Sequence, residues 1–169
     1  MEKQLEHEEI NFPEKTFELI IVCQAMTSAS NTGSIFRLAD AFGVKEIIFT
    51  EVQPVFTRRM QKTSRATHQT VNHSFSDDTC SSLKELKRNG YHLMGLEITR
   101  ESRPLDTISL HKHDKIALIV GSEKFGLSAD VIDLCDQVSH IEMYGRNSSM
   151  NVTHAAAIAL YKVSAHLKK

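Results

Sequence analysis

The run Ile116-Ala117-Leu118-Ile119-Val120 is apolar at every position and opens onto a glycine, Gly121. Alternation of apolar and polar residues would mark a strand with one wet face. A short unbroken apolar run suits a strand covered on both faces. Such strands belong to mainly parallel sheets with helices packed above and below. Glu18-Leu19-Ile20-Ile21-Val22-Cys23 repeats the pattern, and Ile47-Ile48-Phe49, 91–96 and 138–143 add three more strands.

Helical periodicity occupies the intervals. Ile35, Leu38, Ala39 and Phe42 recur at i, i+3, i+4 and i+7 after Asn31-Thr32, and Gly43 suits the position just past the helix end. Asp77 or Asp78 can cap a helix through Leu83 and Leu86 that stops at Gly90. A short helix over 128–135 and a final helix over 149–167 follow. The last has a stripe of Val152, Ala155, Ala156, Ala159, Leu160, Val163 and Leu167. The expected fold is therefore an α/β domain, a mainly parallel sheet with helices on both faces. Residues 1–17 are expected to form an N-terminal extension and 18–169 one domain, enough chain for a single core. The stretch 54–76 is the least regular and the most basic.

No apolar run approaches the roughly 20 residues of a membrane span. The first nine residues lack the apolar segment of a signal peptide, so a cytoplasmic location is expected. Cys23, Cys80 and Cys135 are scattered and odd in number, which suits reduced thiols rather than disulfides or zinc. His111 and His113 lie in a polar loop and no metal site is expected. The formal net charge of −1 carries no global signal for nucleic acid. Its distribution does: from Val52 to Ser76 there is no Asp or Glu, while Arg58, Arg59, Lys62 and Arg65 cluster, with His68 and His73 behind them. Such a patch either binds phosphates or is a solvated basic face.

Three segments carry the polar chemistry. In the first, Gly121-Ser122-Glu123-Lys124-Phe125-Gly126-Leu127, the glycine spacing matches a phosphate loop. Leu127-Ser128 stands where that loop needs Lys-Ser/Thr, and no G-x-G-x-x-G occurs in the chain. Both facts argue against an unrelated nucleotide-binding protein. In the second, Asn31 to Arg37, Arg37 points away from the apolar stripe. It is either a surface arginine or a guanidinium offered to a ligand, and Asn31 can cap the helix. In the third, Ser149-Met150-Asn151, Ser149 can be an N-cap, and a helix start behind the glycine-bearing loop at Gly145 can also hold a polar ligand.

Together these segments resemble the three signature motifs of the SpoU (TrmH-like) branch of the SPOUT methyltransferases. The first family motif is matched by Asn31, Gly33, Arg37, Ala39, Phe42 and Gly43. The second is matched by Gly121, Glu123, Gly126 and Leu127, and the third by Ile141, Met143, Gly145, Ser149, Asn151 and Val152. The resemblance runs from about residue 18 to the C-terminus in the family's order. Met150 replaces a usual Leu, a volume-conserving change, and Glu142 stands where Pro is common.

The resemblance implies transfer of a methyl group from S-adenosyl-L-methionine to a ribose 2′-hydroxyl of RNA, with tRNA favoured over rRNA. An rRNA methyltransferase, or an RNA-binding member without turnover, is the alternative. It implies a C-terminal trefoil knot that forms the cofactor pocket, and a homodimer that completes the active site. By motif position the catalytic set is Asn31, Arg37, Glu123, Ser149 and Asn151. The cofactor set is Gly121, Ile141, Met143, Ser149 and Met150, with Leu96 and Glu97 lining the same pocket. Arg58, Arg59, Lys62 and Arg65 are the candidate RNA contacts. A guanidinium is a poor base, so Arg37 either takes the hydroxyl proton or orients a substrate phosphate that does.

Overall fold

The computed structural model describes residues 12–110, 114–146 and 149–168. Among these, seven strands form one sheet: β1 Phe17–Gln24, β2 Val44–Thr50, β3 His73–Ser76, β4 His92–Leu96, β5 Arg103–Pro104, β6 Ile116–Val120 and β7 Gln137–His140. Their spatial order is β3-β2-β1-β6-β4-β7-β5, and every pairing is parallel. Five helices accompany them: α1 Ala29–Ala41, α2 Arg58–Ser64, α3 Thr79–Arg88, α4 Ala129–Leu134 and α5 Val152–Leu167.

The unbroken apolar runs are explained by two cores that share one sheet. Leu19, Ile21 and Cys23 of β1, with Ile116, Leu118 and Val120 of β6, face α1 and α5. Ile20, Val22, Ala117 and Ile119 face the opposite way, onto Leu83 and Leu86 of α3 and Val131 of α4. Each large aliphatic side chain buried here contributes about 1.5–3 kcal/mol. The register is level across the centre, with Ile21 beside both Ile47 and Leu118, and Leu118 beside Met94.

The structure departs from the sequence reading at several boundaries. β3 and β5 were not expected: β3 is an edge strand with three exposed residues, and β5 has only two residues. The stretch 54–76 is accordingly more ordered than its composition suggested, holding α2, a 3-10 turn at Thr67–Gln69 and β3. β7 stops at His140, leaving Ile141 and Met143 outside the strand. Its partner β4 ends at Leu96, and Pro104 on the other side offers no N–H. Asp78 rather than Asp77 caps α3, accepting from the Cys80 N–H at 2.9 Å.

Two corrections bear on the site. Asn31 is not a cap: Ser28 caps α1 by accepting from the Asn31 N–H at 3.3 Å, so Asn31 sits in the first turn with its side chain free for other work. Ser149 is not a cap either. Asn151 caps α5 through Oδ1, which accepts from the Thr153 N–H at 2.8 Å. His111 and His113, and the residues 147–148, lie outside the described set.

Candidate active site

The site gathers at the C-terminal ends of β1, β4, β6 and β7, where loops leave a parallel sheet and ligands are usually held. The loop after β6 folds tightly on itself. Ser122 and Gly126 exchange backbone hydrogen bonds at 3.2 and 3.0 Å. A Cβ on Gly121 would lie 2.1 Å from the Gly126 carbonyl carbon and 2.4 Å from the Leu127 nitrogen, so no other residue fits without moving the loop. Two strand ends clamp this loop. Glu97, just past β4, accepts from the Leu127 N–H at 3.0 Å and the Ile98 N–H at 2.9 Å. Gln24, closing β1, accepts from the Ser128 N–H and donates to Ser128 Oγ, both at 3.0 Å. Gln24 also donates to Glu51 at 2.8 Å.

The clamped loop presents Glu123 to the start of α1. Its carboxylate accepts from Asn31 Nδ2 at 2.9 Å, the Ser28 N–H at 3.1 Å and the Thr27 N–H at 3.5 Å. Burial alone would raise the carboxyl. The bonds from its own backbone, Asn31, Ser28 and Thr27 outweigh that and hold it below the ordinary glutamate value. A negative charge here also complements the positive end of the helix dipole. Asn31 Oδ1 in turn accepts from Asn151 Nδ2 at 3.2 Å, and Asn151 Oδ1 accepts from Thr153 Oγ1 at 2.6 Å. Donors thus run one way, from Thr153 through Asn151 and Asn31 to Glu123, which fixes the orientation of both amides. Three motifs far apart in the chain meet in this one line of hydrogen bonds.

Beside it lies a cleft of about 370 Å³. All seven residues expected to hold a cofactor line it: Leu96, Glu97, Gly121, Ile141, Met143, Ser149 and Met150. Glu123 and Asn151 form part of the same wall. Its size is that of a small-ligand site, and apolar walls with a few convergent polar groups suit a nucleoside-sized molecule.

Arg37 is placed differently. It is exposed on α1 and forms no hydrogen bond or ion pair with Ser149, Asn151 or Glu123. Its neighbour one turn back on the same helix face is Gly33, where α2 packs: a Cβ there would lie 2.6 Å from the Met60 carbonyl oxygen. Arg37 therefore borders α2. Arg58, Arg59, Lys62 and Arg65 are all exposed there, while Met60 is fully buried beneath them. Sequence reasoning missed Gln24, whose one signal is a polar residue ending an apolar strand. It also missed the Thr27 and Ser28 amides, which leave no trace in side-chain identity.

Fold and site together define a class, an α/β protein with a ligand cleft built from C-terminal loops, and solved structures of that class superpose on this one. The A. aeolicus TrmH/SpoU tRNA modifying enzyme does so with a TM-score of 0.82 over 92% of this chain and 78% of its own, at 23% identity. The SpoU methyltransferase AviRb from Streptomyces viridochromogenes, in complex with AdoMet, gives 0.75 over 95% and 61%, at 22% identity. A structure described for 2-OH methylation of C/U34 on tRNA gives 0.78 over 89% and 96%, at 20% identity. At these identities the likeness establishes the fold. The chain belongs to the SpoU rRNA Methylase family, whose model matches residues 18–161. It is 30% identical over 148 residues to a Staphylococcus epidermidis protein assigned to the TrmH family of tRNA/rRNA methyltransferases, covering 87% of this chain and 58% of that one. A Staphylococcus aureus counterpart is 30% identical over 145 residues, covering 85% and 57%. The chain thus spans somewhat more than half the length of these relatives.

Proposed function

We propose that this protein is an S-adenosyl-L-methionine-dependent RNA methyltransferase acting on a ribose 2′-hydroxyl, with tRNA the favoured substrate. One observation carries the reading: Glu123 and Asn151, bridged by the buried Asn31 in a single hydrogen-bonded line, stand on the wall of a cleft that also contains the seven expected cofactor contacts. Family membership supports it. Two of the structures it superposes on are described as acting on tRNA and two as rRNA methyltransferases, which supports an RNA substrate.

Leu96, Ile141, Met143 and Met150 would supply apolar walls for the adenosine, and Gly121 would let its backbone come close. When bound, the cofactor supplies a methyl group already activated by its sulfonium, so the attacking oxygen needs no metal ion. The residues of the chain then have two tasks, to align the hydroxyl and to help remove its proton. Asn151 and Glu123, tied together through Asn31 and held by Thr153, would form the fixed polar wall against which the ribose is set. Arg37 would hold the phosphate beside the reacting ribose, and that phosphate would accept the proton. Ser149 lines the cleft and would serve both the cofactor and the ribose side of the site.

The active form is a homodimer. Tyr144 (92% exposed), Tyr161 and Ile158 form an apolar face beside the cleft, joined to it through Ile141. A second copy seated there would cover that face next to the reacting groups. The test is methyl incorporation from labelled cofactor into tRNA and rRNA, followed by mass-spectrometric mapping of 2′-O-methyl nucleotides. Incorporation at a ribose of tRNA is expected. Cofactor binding without transfer to any RNA would leave a binding protein that does not turn over.

A further inference from the structure

The segment between β2 and β3 carries rings as well as charge. Phe56, 38% exposed, lies with its ring centroid 5.8 Å from that of His68 and 5.5 Å from that of His73. Phe36 of α1 is the buried floor, meeting His73 edge-on at 5.1 Å and Phe56 at 6.1 Å. His68 is fixed in rotation by a 2.6 Å hydrogen bond between Nδ1 and Ser64 Oγ. Two successive non-glycine residues ahead of it, Arg65 and Ala66, take φ values of 49° and 70°. Such left-handed backbone is uncommon outside glycine and concentrates where a fold serves a ligand. It turns the chain back so that His68 returns to Phe56 while Arg65 stays exposed on the rim.

We propose that Phe56, His68 and His73 form a stacking platform for an unpaired base of the RNA substrate, with the surrounding arginines holding the phosphates on either side. The proposal rests on the RNA methyltransferase reading above. A partly exposed ring in a segment, 52–76, that is cationic and carries no Asp or Glu of its own calls for a polyanion that also carries planar apolar faces. RNA has both, and offers base faces only where it is not in a duplex, because an A-form helix hides them in its stack. Since α2 packs on α1 at Gly33, one turn from Arg37, the platform would receive a base from a nucleotide flanking the reacting one.

The test uses a short labelled single-stranded RNA and its duplex, with affinity followed by fluorescence anisotropy across a salt series. Phe56→Leu keeps the apolar volume over Phe36 and removes the aromatic face. It is expected to weaken single-strand binding by about 5- to 100-fold with an unchanged salt slope, and to leave duplex binding unchanged. Arg59→Gln is expected to reduce the single-strand slope by about 0.7 instead. Because the chain contains no tryptophan, Phe56→Trp gives a single reporter. Its emission should be quenched by the single strand and not by the duplex. Unchanged affinity in Phe56→Leu, or equal loss on both RNAs, overturns the platform alone. Wild-type protein that binds S-adenosylmethionine but neither RNA overturns the RNA reading with it.

Discussion

Replacing Gly33 by alanine sets two effects of opposite sign against each other. Gly33 lies inside α1, where alanine is the better helix former by about 1 kcal/mol. Helix propensity alone therefore raises the melting temperature by about 2–4 °C for a chain of this size. Packing works the other way. The new Cβ would stand 2.6 Å from the Met60 carbonyl oxygen and 2.8 Å from Thr63 Cβ, where ordinary contact begins at 3.4 Å. Neither atom is the end of a flexible side chain, so α2 must retreat by about 0.8 Å and draw the fully buried Met60 with it. Overpacking of this kind costs about 1–3 kcal/mol. The net expectation is a loss of up to about 2 kcal/mol, and a melting temperature lower by up to about 8 °C. Circular-dichroism melts of the two proteins read the sign directly. RNA titrations should also weaken, because α2 carries Arg58, Arg59 and Lys62, while cofactor titrations stay as in the wild type. A more stable Gly33→Ala protein with unaltered RNA binding would refute the close packing of α2 on α1.

Other expectations address the site itself. Arg37→Ala should abolish methyl transfer while leaving cofactor affinity intact, and near-normal turnover would remove Arg37 from the reaction. Glu123 is held below its ordinary value, so its stabilisation is complete above about pH 4.5 and disappears as the pH falls through the lower native value. Melts of wild type and Glu123→Gln should therefore differ at pH 7 and converge toward pH 3, and a gap that persists in acid contradicts the network. Burial pushes the Cys135 thiol up to about 11 and Cys23 higher still, whereas Cys80 is less buried and rises less. Alkylation of the native protein at pH 8, mapped by mass spectrometry, should modify Cys80 first, and rapid labelling of Cys23 would show that β1 is not sealed in the core.

Much of the architecture was written in local pattern. The unbroken runs of β1 and β6 announced a sheet covered on both sides, since a strand facing two cores has no room for polar alternation. The stripe of α5 appeared almost as read, with Ala156, Ala159, Leu160 and Val163 buried. β3 was not legible, because an exposed edge strand of His, Ser and Phe carries no burial signal. The true caps of α1 and α5 were not legible either. Ser28, Asn31, Ser149 and Asn151 are all acceptable capping residues, and local chemistry alone does not choose among them.

That choice decides the site. Motif order and spacing named Asn31, Glu123 and Asn151, but as residues separated along the chain rather than as partners. Only tertiary structure, by giving the α1 cap to Ser28, frees the Asn31 amide to bridge Glu123 and Asn151. It likewise gives Gln24 its hold on Ser128, and sets Arg37 apart from that network, beside α2. Periodicity reports which face of an element is buried. Which polar atoms meet depends on how the ends of separate strands converge, a property of the assembled sheet.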